Sequence, residues 1–274
     1  ISANNVTFDG QGYTIDGVNT GNGIHVVGSS GNELTNVTIN NTFVNDFATG
    51  LYFEYTDNSF VFDSNFSSGN SRNIRILYSN NNIFNNLNIT DASGSNDQGL
   101  ELAAADFNNI SNSYFNNNNR AIIISTASNN NIILNNTIIN SVTIGIKAEA
   151  ISADNNLIYN NFFNNTNNYN TVAGADNYFN TTLTEETNII GGANIGGNYW
   201  GGIAGNNYSD TCTVTVTDNI CDNPMNITDG TECVGCSGKD IDELPLSYNV
   251  AGCTYNSECN GDEYCLNSAC ANLS

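Results

Sequence analysis

Basic residues are almost missing from this 274-residue chain: five Lys and Arg stand against 27 Asp and Glu, a net charge of −22. A surface of that sign repels phosphate backbones, which excludes nucleic acid as a partner. It also disfavours anionic membranes, keeps the chain soluble and attracts divalent cations. Long apolar runs are missing too. Stretches such as Ala121-Ile122-Ile123-Ile124 are far too short to span a bilayer, so no transmembrane segment is expected. There is no initiator Met and no signal-like segment, and the chain is expected to be a processed form or a piece of something longer. No cysteine precedes Cys212.

What fills the chain instead is Asn, about one residue in five, set among short β-branched and aromatic stretches. Gly23-Ile24, Gly50-Leu51, Asn73-Ile74, Gly99-Leu100, Ala121-Ile122 and Gly145-Ile146 open similar segments, spaced 27, 23, 26, 22 and 24 residues apart. A period in this range denotes a solenoid. Helical solenoids are excluded, because Lys, Glu and Leu are scarce and β-formers abound. Each period holds about three strand-like stretches separated by Asn-rich corners, as in 129–140. The fold expected is therefore all-β: a parallel β-helix with three strands per coil and inward Ile, Leu, Val and Phe. The crossover rule makes its winding right-handed. Asn suits the corners because it tolerates left-handed backbone, and stacked Asn side chains can bond from coil to coil.

On these residues, 4–200 resemble the β-helix repeats of pectate-lyase-like proteins and, most closely, the NosD-like family. Gly196-Gly197-Asn198-Tyr199-Trp200 resembles that family's terminal GGNYW box. Residues 218–227 resemble its DGIGDTPYNI box, and Asp242-Glu243-Leu244-Pro245-Leu246 its DxxPL ending. The resemblance implies the fold, and it implies a surface protein of archaeal or bacterial type, here archaeal in style; it says little about activity. It also carries a copper label. With one His, His25, and one Met, Met225, far apart in sequence, the clustered soft or imidazole ligands of a copper site are lacking, and copper is rejected. Cys221 stands where the family has Gly, with Cys212, Cys233 and Cys236 around it, which suggests disulfides pinning a loop that relatives pin with calcium. Asp9-Gly10-Gln11-Gly12 and Asp16-Gly17 leave Ca²⁺ open as an ion, although turn formation explains them equally well.

The eight cysteines, Cys212, Cys221, Cys233, Cys236, Cys253, Cys259, Cys265 and Cys270, read as four disulfides in an oxidising compartment. Cys233-Val234-Gly235-Cys236 lacks the second pair a zinc site would want. For the tail, four cysteines allow three connectivities, of which Cys253–Cys265 with Cys259–Cys270 is the working choice. Twelve Asn-x-Ser/Thr sequons agree with secretion: Asn5, Asn36, Asn40, Asn65, Asn88, Asn109, Asn135, Asn164, Asn180, Asn207, Asn226 and Asn272. The divisions expected are a β-helix over 1–200, a capping region with a disulfide loop over 201–248, and a cysteine-rich tail module over 249–274. The N-terminal end, already strand-like at Ile1–Phe8, shows no cap of its own.

Candidate chemistry sits on the outward face of the strands that open each repeat. One outward column reads His25, Tyr52, Arg75, Glu101, Ile123, Lys147; the next reads Val27, Glu54, Leu77, Ala103, Ser125, Glu149. If the chain is an enzyme, Glu54, Arg75 and Glu101 are its residues, the two glutamates standing at roughly the 9–10 Å of two coils, near an inverting glycosidase pair. If it binds glycans without turnover, Tyr52, Tyr55 and Tyr78 are the contacts. Against both, cations beside carboxylates are expected to form ion pairs, with Arg75 joined to Glu101 or Glu54 for a few tenths of a kcal/mol. Polyuronate lyases need a cation cluster, and four cations spread over the helix are too few. The sequence thus favours an extracellular structural or adhesive surface protein, one that self-associates, contacts other surface proteins, or meets glycans through its end coils or an added strand. A carbohydrate-active enzyme or a glycan-binding module is the alternative.

Overall fold

The computed structural model describes residues 1–249 apart from 93, 173, 174, 216, 217, 229, 233, 235 and 236, together with the backbone of 263–266 and 269–272. It is the expected parallel β-solenoid. The repeat-opening strands, Asn22–Val27, Thr49–Glu54, Arg72–Leu77, Gln98–Ala103, Arg120–Ser125, Ile144–Ala148 and Tyr169–Thr171, form one seven-stranded parallel sheet. Its register runs Ile24, Leu51, Ile74, Leu100, Ile122, Ile146, so the apolar residue after each repeat opener is also its stacking partner.

The other two strands of each coil belong to a thirteen-stranded sheet that turns a corner. Long strands such as Phe60–Ser67 and Ile83–Thr90 bend across that corner and continue in both faces. Later coils split the same path into separate strands, for example Asn109–Ser111 and Tyr114–Asn116. Inside, Leu51, Phe53, Phe66, Ile74, Phe84, Ile89, Phe115 and Phe163 are fully buried in one continuous core. Helix is confined, among the described residues, to Tyr208–Thr211.

Corners explain the Asn wealth. Left-handed backbone recurs once per corner per coil: Asn36, Asn58, Asn81, Phe107, Asn130 and Asn155 in one row, and Asn41, Asp63, Asn86, Asn112, Asn135 and Asn160 in the next. Asn tolerates that region better than other Cβ-bearing residues. A second set of Asn turns inward beside each left-handed residue and forms buried ladders. In the first, Val37 N–H donates to Ser59 Oγ, Ser59 N–H to Asn82 Oδ1, and the pattern continues through Asn108, Asn131, Asn156 and Asn177 to the Asp240 carboxylate. In the second, Ser113, Asn136, Asn161 and Asn198 repeat it and end on Asp242.

The last solenoid strand, Tyr199–Gly201, pairs with Phe162–Asn164. Trp200 stacks on Phe163 at 4.6 Å. The chain then folds back over this end: Met225–Asn226 pairs with Thr231–Glu232 and with Ile241–Asp242, and a Cys212–Cys221 disulfide closes the intervening loop. Ile1 lies along the first strand, donating its amino group to His25 O and accepting from Val27 N–H. The disulfides expected of Cys233, Cys236, Cys253, Cys259, Cys265 and Cys270, and the sequon at Asn272, lie outside the described side chains.

Candidate functional site

Strand alternation sends His25, Tyr52, Arg75, Glu101, Ile123 and Lys147 outward from the seven-stranded sheet as consecutive register partners. Val27, Glu54, Leu77, Ala103 and Ser125 form the second column, as read from the sequence. A third row joins them that the outward alternation does not mark. Arg72, Gln98 and Arg120 are also register partners, each one residue before a repeat opener. That position was the available signal.

The third row changes the electrostatics. Four of the five Lys and Arg, expected as spread along the helix, gather on this one face, and each is held by a glutamate. Glu101 takes Arg72 Nε at 2.5 Å and Arg75 Nε at 3.1 Å, while Glu149 takes Arg120 and Lys147, each at 3.0 Å. Glu54 is not the diagonal partner of Arg75; it bonds His25 Nε2 at 3.2 Å instead. The reason is Tyr52, whose ring stacks on His25 at 4.6 Å and carries the Arg75 guanidinium 5.3 Å above its centre. Burial, ahead of the neighbouring charges, pushes the Tyr52 hydroxyl up from its ordinary value. Tyr55 and Tyr78 stack on each other at 4.9 Å at the corner that follows. Ile123 is fully buried although it belongs to no interior cluster, as expected beneath a layer of long charged side chains.

The Arg75 contact is more buried on its glutamate side than on its arginine side, with side chains 10% and 30% exposed. Glu101 is 7% exposed, so removing it leaves two half-buried guanidiniums without their carboxylate. Glu101→Ala is expected to lower unfolding free energy by about 1–2 kcal/mol, above an exposed pair and below a fully buried one. Arg75→Ala, which leaves Arg72 in place, is expected to cost about 1 kcal/mol. Urea denaturation of both variants checks the ordering.

At the cap end of this face lies a cavity of about 350 Å³ lined by Arg120, Lys147, Tyr169 and Asn170. It adjoins one of about 440 Å³ that shares Tyr169 and Asn170 and reaches Tyr208 and Met225. Burial pushes the Tyr169 hydroxyl strongly upward, with Asp240 adding to the rise. Tyr208 is raised to about 12 for the same first reason.

Metal chemistry fits these residues poorly. Asp9 accepts from the Gln11 N–H, and Asp16 from Asn45 Nδ2, so both serve their own turns and neighbouring coils. His25 stands on the first strand of the sheet and Met225 in the cap. Among the described residues no three His, Cys, Asp or Glu side chains converge.

A coiled stack of three parallel strands per turn, with an ion-paired outer face and a folded-back end, defines a parallel β-solenoid. Residues 3–205 match the family described as "Periplasmic copper-binding protein (NosD)", and the chain belongs to that family. No curated protein sequence matches it. Among solved structures, an alginate lyase from Paenibacillus sp. str. FPU-7 is 11% identical with a TM-score of 0.44, over 60% of this chain and 73% of that one. ORF18 of Geobacillus virus E2 is 11% identical with a TM-score of 0.41, over 57% and 44%. The catalytic domain of a GH87 α-1,3-glucanase in complex with nigerose is 14% identical with a TM-score of 0.27, over 51% and 36%. These likenesses concern the fold alone. The copper of the family description finds no ligand set among the described residues, as the fit above shows. No helix among them is long and apolar enough to cross a membrane.

Proposed function

We propose that this chain is an extracellular structural or adhesive surface protein, a rod that works through its faces and contacts rather than through turnover. The observation that carries the reading is the clamped sheet face: its four cations are all engaged by Glu101 and Glu149. Such a face offers no free Lys or Arg to an acidic sugar. The periplasmic family and the Cys212–Cys221 disulfide are consistent with an oxidising compartment outside the cytoplasm. Partners under this reading are further copies of the chain or other surface proteins. A panel of uronate and neutral polysaccharides is expected to show no depolymerisation. Light scattering and electron microscopy of the intact protein are expected to show assemblies. Measurable turnover, or a monomer at every concentration, contradicts the proposal.

One observation favours a second reading. The joined cavities beside Arg120, Lys147 and Tyr169 make a polar, aromatic-lined groove suited to a sugar chain. Saturable binding of an oligosaccharide that is lost in Tyr208→Ala would turn the proposal toward a glycan-binding module.

A further inference from the structure

Five asparagines in solenoid strands differ from all their neighbours. Asn40, Asn65, Asn88, Asn109 and Asn164 each bury Oδ1 without a hydrogen-bond partner. Among the described residues their Nδ2 atoms also have no protein partner, and they reach solvent. A buried orphan oxygen is unfavourable, because it has given up water without gaining a donor. Other outward strand asparagines avoid it: Asn45 donates to Asp16, Asn85 to Ser111 Oγ, and Asn116 accepts from Asn140. All five orphans are sequon asparagines, and none of the three bonded ones is.

Strand geometry explains the coincidence. In Asn65-Phe66-Ser67 and Asn88-Ile89-Thr90 the middle residue is buried in the core, so asparagine and hydroxyl stand together on the outer face. The side-chain amide lies with its oxygen turned in and its nitrogen turned out. Sequons at corners and in the cap are tied down instead, as where Asn36 Nδ2 donates to Asn5 Oδ1 and Asn180 Oδ1 accepts from the Glu243 N–H.

The faces divide in the same way. No strand of the seven-stranded sheet contains a sequon. All five outward-facing sequons lie in the thirteen-stranded sheet, where four of them have uncharged register partners, as Asn65 with Asn88 and Asn109 with Ile83, and Asn40 stands beside Asp9.

We infer that Asn40, Asn65, Asn88, Asn109 and Asn164 carry N-linked glycans that clothe two faces of the solenoid and leave the ion-paired third face bare. The donor is a lipid-phosphate-linked oligosaccharide. Asn Nδ2 forms a bond to the sugar C1 as the C1–O bond to phosphate breaks; the phosphate leaves with the lipid, and Nδ2 gives up one proton to a base of the transferring enzyme. The remaining N–H and the inward oxygen stay as they are, so the fold need not shift to accept the sugar. This inference rests on the proposed location outside the cytoplasm.

The test is glycopeptide mapping and intact mass of the full chain recovered from the outside of its cells. Five modified strand sites are expected, with Asn65→Gln and Asn88→Gln each removing one glycan mass and Asn36→Gln removing none. A chain found outside the cell with the Cys212–Cys221 bond closed but no sugar at the five sites overturns the inference alone. A chain retained in the cytoplasm with free thiols overturns both the inference and the proposed function. Sugar on Asn36 with none on the strand sites also refutes it.

Discussion

Asp242→Ala is expected to be the most damaging single substitution in this protein, costing about 3–5 kcal/mol of unfolding free energy. Asp242 is 0% exposed. Its Oδ2 accepts from Asn198 N–H at 2.8 Å and Trp200 Nε1–H at 2.7 Å, and its Oδ1 from Leu244 N–H at 3.1 Å. Alanine leaves these donors buried and unpaired, at about 1–3 kcal/mol each, partly relieved by relaxation. The site has no slack: a Cβ on Gly197 would meet Asp242 Oδ1 and Leu244 O at bonding distance, so Gly197→Ala should expel the same segment.

The carboxyl also titrates. Burial pushes it up to about 7, against the pull of its donors. Because the folded value lies above the ordinary one of 3.8, this group's stabilisation is full below about pH 4 and is lost as pH rises through about 7, a change of at most about 4 kcal/mol. Asp242→Asn keeps an oxygen for Asn198 and Trp200 but cannot satisfy Leu244. At pH 5 it should cost about 1 kcal/mol; at pH 8 it should match or exceed the parent. Denaturant melts of parent and variant at both pH values check this, and a parent that is more stable at pH 8 than at pH 5 contradicts it.

The second large effect is expected in mid-ladder. Asn131 Oδ1 accepts from Asn108 N–H and Nδ2, while Asn131 N–H and Nδ2 donate onward to Asn156 Oδ1 and to Ala105 O. Asn131→Ala breaks the column and orphans groups on two coils, so a loss of about 3 kcal/mol is expected. Asn130→Ala is the control. Asn130 is exposed in left-handed backbone at φ 56°, and the substitution should cost only about 1–2 kcal/mol, the penalty of alanine in that region. Equal losses in the two melts would show that corner geometry, not the ladder, holds the coils.

The repeat was legible because each strand carries its own registration mark, a small residue followed by an inward aliphatic, from Ile24 to Ile146. The corner asparagines were legible for the same reason: left-handed backbone is a local demand. What was not legible was partnership across the coil. Arg72 and Arg120 stand just ahead of the repeat openers, and strand alternation alone does not place them on the face with Glu101 and Glu149, which they reach through long side chains. Tyr52 lies between His25 and Arg75, and no spacing rule foretells that its ring will redirect Glu54. Asp242 was recognised within a terminal box, but its task depends on a chain reversal that brings it under Asn198. The orphaned amide oxygens depend on side-chain rotation, which leaves no trace in composition.

Each asparagine column is directional. Every backbone N–H in the column points toward the next coil, and every side-chain oxygen receives from the coil before. An interior coil therefore gives and receives in equal measure, and one more coil of the same kind could be inserted without disturbing either end. The two aspartates at the finish only receive, so the series stops there. Length is thus set independently of termination. The solenoid is a ruler graduated in steps of about 4.8 Å, and a lineage of such proteins can change its reach by whole coils while keeping the same stop.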